Sequence, residues 1–237
     1  HLSVALPFLE SHIPALVEKP LARTLAEADA MIAAAHRAGV ALAVGHTERF
    51  NPAVDAASGL LTNPRFIEVH RLGTFPERSL DIDVVFDLMI HDLDVVLSIV
   101  KSEVDAIEAV GVPVLTGRVD IANARVRFAN GCIANLTASR ISRDRVRKIR
   151  FFQPAAYLSI DYATQKLDVW RLVKNDGAAP SIQGGDVAVT NEEPLKRELE
   201  DFVDAVVTRR APRVDGAQGR RALAVAQQIT DKMAATT

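Results

Sequence analysis

The chain is poor in cysteine, in aromatic residues and in long apolar runs. One cysteine, Cys132, among 237 residues cannot close an internal disulfide, and it rules out any site built from paired cysteine ligands. No apolar run approaches the roughly 18 residues a membrane helix needs, and no signal peptide is visible at the N-terminus. Excess charge is missing too. Lys and Arg total 28 against 30 Asp and Glu, a net charge of -2, so there is no general attraction to nucleic acid or to acidic membranes. The sequence contains no G-x-G-x-x-G, P-loop, G-x-S-x-G or H-E-x-x-H motif, and no repeat or low-complexity tract. The expectation from these absences is a soluble, cytoplasmic protein in a reducing compartment.

What is present reads as globular. Hydrophobic residues make up 49% and charged residues 24%, ordinary values for a folded domain. A chain of this length buries about 70 to 75% of its unfolded surface and needs no staples. It opens at His1 without an initiator Met, inside a helical pattern of Leu2, Ala5, Leu6 and Leu9. The expectation is a fragment whose beginning lies upstream. An apolar strand over 15–21 is followed by a T-x-x-E capping box, Thr24 and Glu27. The helix so started carries Leu21, Leu25, Ala28, Ile32 and Ala35 on one face and stops at Gly39. VALAVGH (40–46) is an unbroken apolar strand. Helix, strand, helix, strand predicts an α/β unit with buried parallel strands.

Beyond about residue 63 the pattern changes. Residues 65–73 alternate like a strand, 84–100 are helical, and six period-2 runs follow: 104–114, 119–128, 131–139, 146–152, 156–162 and 166–173. Asn130-Gly131 between two of them marks a hairpin. Successive strands without intervening helices predict a largely antiparallel sheet. Residues 177–192, rich in Gly, Pro, Ser and Asn, read as a loop. Two helices close the chain, one striped by Leu195, Leu199, Phe202, Val203 and Val206, the other by Val225, Ile229 and Met233. The expected fold class is α/β followed by α+β. Residues 1–50 form the C-terminal part of a Rossmann-type domain and 51–237 a second domain with an open, mostly antiparallel sheet, onto whose neighbour the last helices pack back.

Three polar clusters carry candidate chemistry. Glu18-Lys19-Pro20 ends the first strand, and a parallel sheet places its ligand crevice at the carboxyl ends of its strands. Lysine there offers a movable point charge; the bland reading is a surface lysine in a turn. His46, Glu48, Arg49 and Asn51 follow the next strand end on the same edge, where a loop that merely caps a helix is the plain alternative. The densest cluster is DLMIHDLD (87–94), with Asp87, His91 and Asp94 on one helical face. His91 suits proton transfer near neutral pH, with Asp87 one turn before it to hold the ring; the alternatives are a solvated face and Asp87 as an N-cap. Arg140, Arg143, Arg145, Arg147, Lys148 and Arg150 form a basic run. No aromatics interleave within it, so an anionic small molecule such as a sugar phosphate suits it better than nucleic acid. Cys132 reads as a core residue, and His1, His12, His36 and His70 have no evident partners.

Together VEKPLA (17–22), GHTERFNP (45–52) and DLMIHDLD (87–94) resemble the Gfo/Idh/MocA family of oxidoreductases, across essentially the whole chain. The resemblance implies a Rossmann domain binding NAD or NADP, then a substrate domain. The glycine-rich phosphate loop would lie upstream of His1, so this fragment alone would be inactive. It also implies that Lys19, Asp87 and His91 are catalytic and that Glu18, Lys19, Pro20 and Arg49 line the nicotinamide end. Met89 stands where many members have glycine. GHTERFNP and residues 141–162 resemble the branch acting at C3 of UDP-N-acetylglucosamine, whose product leads to lipid A or surface glycans. Other sugar or inositol dehydrogenases share these motifs. No metal, nucleic acid or membrane partner is implied; a homodimer or homotetramer is. Rival readings are a metal-dependent hydrolase of the HD type, built on His91 and Asp92, and a non-catalytic relative.

Overall fold

The computed structural model describes residues 1–75, 82–174 and 179–234. Its first helix, α1 (Leu2–Glu10), buries Ala5 and Leu9. Strands β1 (Ala15–Glu18) and β2 (Leu42–Gly45) pair in parallel, Glu18 opposite Gly45. Parallel neighbours require a crossover, which α2 (Leu25–Ala38) supplies. The capping residues act as the sequence predicts. Thr24 Oγ1 accepts the Glu27 N–H at 3.2 Å, and Gly39 at φ 66° closes the helix.

A 3-10 turn (Thr47–Phe50) and α3 (Pro52–Ser58) lead into β3 (Phe66–Leu72). A π-helical turn (Val85–Met89) then runs directly into α4 (Ile90–Val100). The six alternating runs are strands: β4 (Val104–Val112), β5 (Ile121–Phe128), β6 (Ile133–Ser139), β7 (Val146–Gln153), β8 (Ala156–Asp161) and β9 (Lys166–Val173). With β3 and β10 (Ser181–Val187) they form an eight-stranded sheet in the order β10-β9-β8-β7-β3-β6-β5-β4. Every pairing is antiparallel except β3 with β6. Alternation sets the two faces. On β5, Ala122, Ala124, Val126 and Phe128 turn into the core, while Asn123, Arg125 and Arg127 are exposed. Residues of α3, α4 and the last helix, α6 (Gly216–Ala234), join the inward row in one hydrophobic core.

Helix α6 also closes the first unit. Leu223 belongs to the core around β1, β2 and α2, whereas Ala222, Val225, Ala226, Ile229 and Met233 belong to the sheet core. The Val44 N–H donates to the Val214 carbonyl at 3.0 Å just before the helix. Gly219 lets α6 approach β2 closely: a Cβ there would stand 2.6 Å from Val44 Cγ2.

Two expectations are corrected. The stretch 177–192 is not simply a loop, because β10 lies within it; residues 177 and 178 fall outside the described residues. Its glycines disguised it. At Gly184 the backbone approaches β9 so closely that a Cβ would meet the Val169 carbonyl oxygen, so glycine is there for pairing. The apolar stripe on α5 (Pro194–Thr208) faces outward, with Leu195, Leu199 and Val203 exposed, and Glu198 and Ala205 are the buried residues. The helix is held instead by polar contacts, including Arg197 Nη1 to the Phe50 carbonyl at 2.7 Å.

Candidate active site

The carboxyl ends of β1 and β2, the end of β3 and the π-helical turn converge at one place. Lys19 leaves β1 just before a cis peptide to Pro20. Its Nζ donates to the Asp87 backbone carbonyl at 2.5 Å and lies 3.5 Å from Asp87 Oδ1. Burial pulls the Lys19 ammonium below the ordinary lysine range, opposed by Asp87 and Glu18. The expectation that Asp87 holds the His91 ring is not met. Its carboxylate turns to Lys19, and His91 Nδ1 is buried without a hydrogen-bond partner. The physical reason is the π-helical turn, which the 87/91/94 spacing did not reveal; such turns replace regular α geometry locally.

His91 lies in the field of three cations, Arg71, Lys19 and Arg147. Burial first, then Arg71, Lys19, His46 and Arg147, hold it well below the usual histidine range, so its imidazole is neutral at physiological pH. His46, the residue after β2, lies edge-on to it with ring centroids 6.3 Å apart. Fully buried, His46 has no partner on either nitrogen, and burial lowers its pKa as well.

A second layer braces these groups. Arg71 Nε meets Asp92 Oδ2 at 2.6 Å, and its Nη2 meets Asp92 Oδ1 at 3.1 Å and Glu48 Oε1 at 3.0 Å. Arg49, expected at the nicotinamide end, turns inward: Nη1 lies 3.2 and 3.4 Å from the two oxygens of buried Asp94. Asn51 caps α3 on the Ala53 N–H at 3.1 Å and donates to the Tyr162 carbonyl at 3.1 Å. Glu198 reaches back from α5, its Oε2 accepting from Thr47 Oγ1 at 2.9 Å and its Oε1 buried without a partner. Burial, with Glu18 and Asp94 adding to it, pushes this carboxyl up to about 7.

Arg71 and Glu198 were not singled out from the sequence, and Asp92 was named only for a metal-dependent rival, not as the partner of Arg71. Arg71 left a usable signal, since it continues the inward parity of Ile67 and Val69 along β3; an arginine on a core-facing row requires anions. Glu198 left none, because the apolar stripe of α5 pointed to the opposite face.

Asp92 gives both oxygens to Arg71. Among the described residues no three His, Cys, Asp or Glu side chains come together as a metal site. No helix among them is long and apolar enough to cross a membrane.

The chain matches known families along most of its length. Residues 1–46 match the oxidoreductase family with an NAD-binding Rossmann fold, and residues 56–153 match the GFO/IDH/MocA C-terminal domain. It is 39% identical over 236 residues to UDP-N-acetylglucosamine 3-dehydrogenase of Acidithiobacillus ferrooxidans, covering 97% of this chain and 74% of that protein. A crystal form of that enzyme superposes with a TM-score of 0.92 at 36% identity, over 99% of this chain and 75% of the other. Aldose-aldose oxidoreductase of Caulobacter crescentus, with glycerol, shares the fold at a TM-score of 0.80 and 24% identity, over 99% of this chain and 75% of the other. Fold and relatives define a dehydrogenase that uses a nicotinamide cofactor, NAD or NADP. The chain belongs to the Gfo/Idh/MocA family.

The residues fit the nicotinamide end of such a cofactor. A partly buried cation stands at the carboxyl edge of parallel strands beside a neutral, unpartnered imidazole. Glu18 lies across Gly45, where a Cβ would come 3.0 Å from Glu18 Oε2, and is exposed.

Proposed function

We propose that this site oxidises a secondary hydroxyl of a sugar nucleotide, the C3 hydroxyl of UDP-N-acetylglucosamine. The chemistry rests on one observation, the juxtaposition of the Asp87-anchored Lys19 ammonium with the unpartnered His91 imidazole. The choice of sugar rests on the 39% identity to the Acidithiobacillus enzyme.

Oxidation removes a hydride from carbon and a proton from oxygen. The nicotinamide, when bound, accepts the hydride at its ring. His91 takes the hydroxyl proton, because a neutral imidazole with an open nitrogen is the proton acceptor at hand. General-base action of this kind contributes about 10²- to 10⁴-fold. Lys19 donates a charge-assisted hydrogen bond to the substrate oxygen as negative charge develops there. Asp87 positions Lys19 through its carbonyl and keeps it cationic through its carboxylate. Glu18, Lys19 and Pro20 would hold the ribose and nicotinamide end, with Glu18 accepting from ribose hydroxyls. Arg49 acts from beneath, fixing Asp94 under His46.

The test follows reduced nicotinamide absorbance with the full-length gene product. NAD or NADP is offered with UDP-N-acetylglucosamine, UDP-glucose, myo-inositol and glucose, to wild type, Lys19→Ala and His91→Ala. Turnover of UDP-N-acetylglucosamine that is lost in both variants supports the reading. Turnover of a different sugar alone replaces the substrate, and cofactor binding without turnover of any sugar overturns it.

A further inference from the structure

The large sheet presents a second feature to the same site. Strand β7 opposes β3 in antiparallel register, Ile149 across from Val69 and Arg147 across from Arg71. Directly opposed residues project from the same face. Here it is the face that Ile149 and Phe151 bury in the core. Arg147 therefore continues the inward row one step past the core, beside Arg71 and within the field of His91.

The two arginines are treated differently. Arg71 is buried and matched by Asp92 and Glu48. Arg147 is exposed, and among the described residues its guanidinium makes no ion pair or hydrogen bond. Like charges directly opposite each other in a sheet are unfavourable, so this cation stands where folding alone gives it no return. Arg143 and Arg145, also exposed and without ion pairs among the described residues, sit on the loop entering β7. The Ser142 N–H fastens that loop to the Gly73 carbonyl at the end of β3, at 2.9 Å. Only Asp144 offers a carboxylate among them.

We propose that Arg147, with Arg143 and Arg145 at the rim, binds the diphosphate of a sugar nucleotide whose ring faces Lys19 and His91. The inference rests on the sugar-nucleotide reading above. Guanidinium forks match phosphate oxygens geometrically and stay charged at all working pH values. A neutral hexose or inositol has no group for them. The cofactor's own diphosphate is the other anion of this kind, but a Rossmann fold takes it at a helix N-terminus beside the parallel strands. Arg147 stands on the large sheet instead.

The experiment compares the full-length gene product with Arg147→Gln, and with Arg125→Gln on the outer sheet face as control. Three quantities are read: KM for UDP-N-acetylglucosamine, inhibition by UDP alone, and cofactor affinity from nicotinamide fluorescence. Arg147→Gln is expected to raise KM and weaken UDP inhibition by about ten-fold or more, the loss typical of a charged hydrogen bond, with cofactor affinity retained. Arg147→Lys restores part of the loss. Unchanged KM and UDP inhibition in a protein that oxidises the sugar nucleotide overturn the role of Arg147 and leave the substrate reading standing. Weakened cofactor affinity in its place assigns the arginine to the cofactor and also overturns the proposal. A wild type that neither binds UDP nor oxidises a sugar nucleotide removes the substrate reading and the proposal with it.

Discussion

Lys19 on β1 and Asp87 in the π-helical turn are joined by a 2.5 Å hydrogen bond from ammonium to backbone carbonyl, with the carboxylate 3.5 Å away. One side chain thereby ties the strand end of the first unit to the helix that carries His91. The carbonyl fixes direction and the carboxylate supplies charge, so removing the ammonium deletes both contacts and neutralising the carboxylate deletes only the second.

Replacing Lys19 with Met keeps most of the side-chain volume and removes the cation. Loss of a single preorganised donor to a developing oxyanion lowers rates by about 10²- to 10³-fold. A fall of that size in kcat, with an undiminished melting temperature, is expected, since the partly buried ammonium is desolvated in the native state. Initial rates and a thermal melt on the same preparation check both parts.

Asp87→Asn preserves the carbonyl contact and deletes the anion. Asp87 opposes the downward pull of burial on Lys19, so without it the lysine loses its proton at lower pH. If Lys19 works as a cation, the alkaline fall of kcat/KM moves to lower pH in the variant. A limb that stays in place would mean that another group sets it.

Glu198 makes stability depend on pH in the unusual direction. Its carboxyl rises from 4.5 to about 7 on folding, so the folded state holds the proton more tightly than the unfolded chain. The associated stability is complete below pH 4.5 and is lost as pH rises through about 7. Glu198→Gln imitates the protonated form. Urea midpoints of variant and wild type are expected to agree at the acid end of that window and to diverge, variant higher, above it.

Gly219→Ala puts a methyl 2.6 Å from Val44 Cγ2. Overpacking of a buried contact costs about 1 to 3 kcal/mol, here borne by β2, the strand that leads into His46. A lower urea midpoint with an unaltered slope is the expected result; an unchanged midpoint would show that α6 shifts freely.

The parallel pair, the capping of α2 and six strands were legible because period and turn chemistry are local properties. That Lys19 shares a site with Asp87 and His91 was implied only by family resemblance, since nothing local links residues 68 positions apart, and the direct Lys19–Asp87 contact was not foreseen. What stayed hidden has specific causes. The π-helical turn has no separate hydrophobic period, so Asp87 seemed to face His91. The glycines of β10 serve close pairing but look like breakers. Glu198 is buried by tertiary contact against the preference of its own helix.

The shared helix α6 bears on how this enzyme could be recombined. Residues 1–50 look like a cassette, yet the strand of the cassette at its core is bonded to Val214 and packed on Gly219 and Leu223. A chimera cut only after the 3-10 turn would exchange β2 and keep a foreign lid over it. A working graft has to carry two pieces of sequence, the beginning of the chain and the turn from 214 into the first half of α6, because in space they are one module.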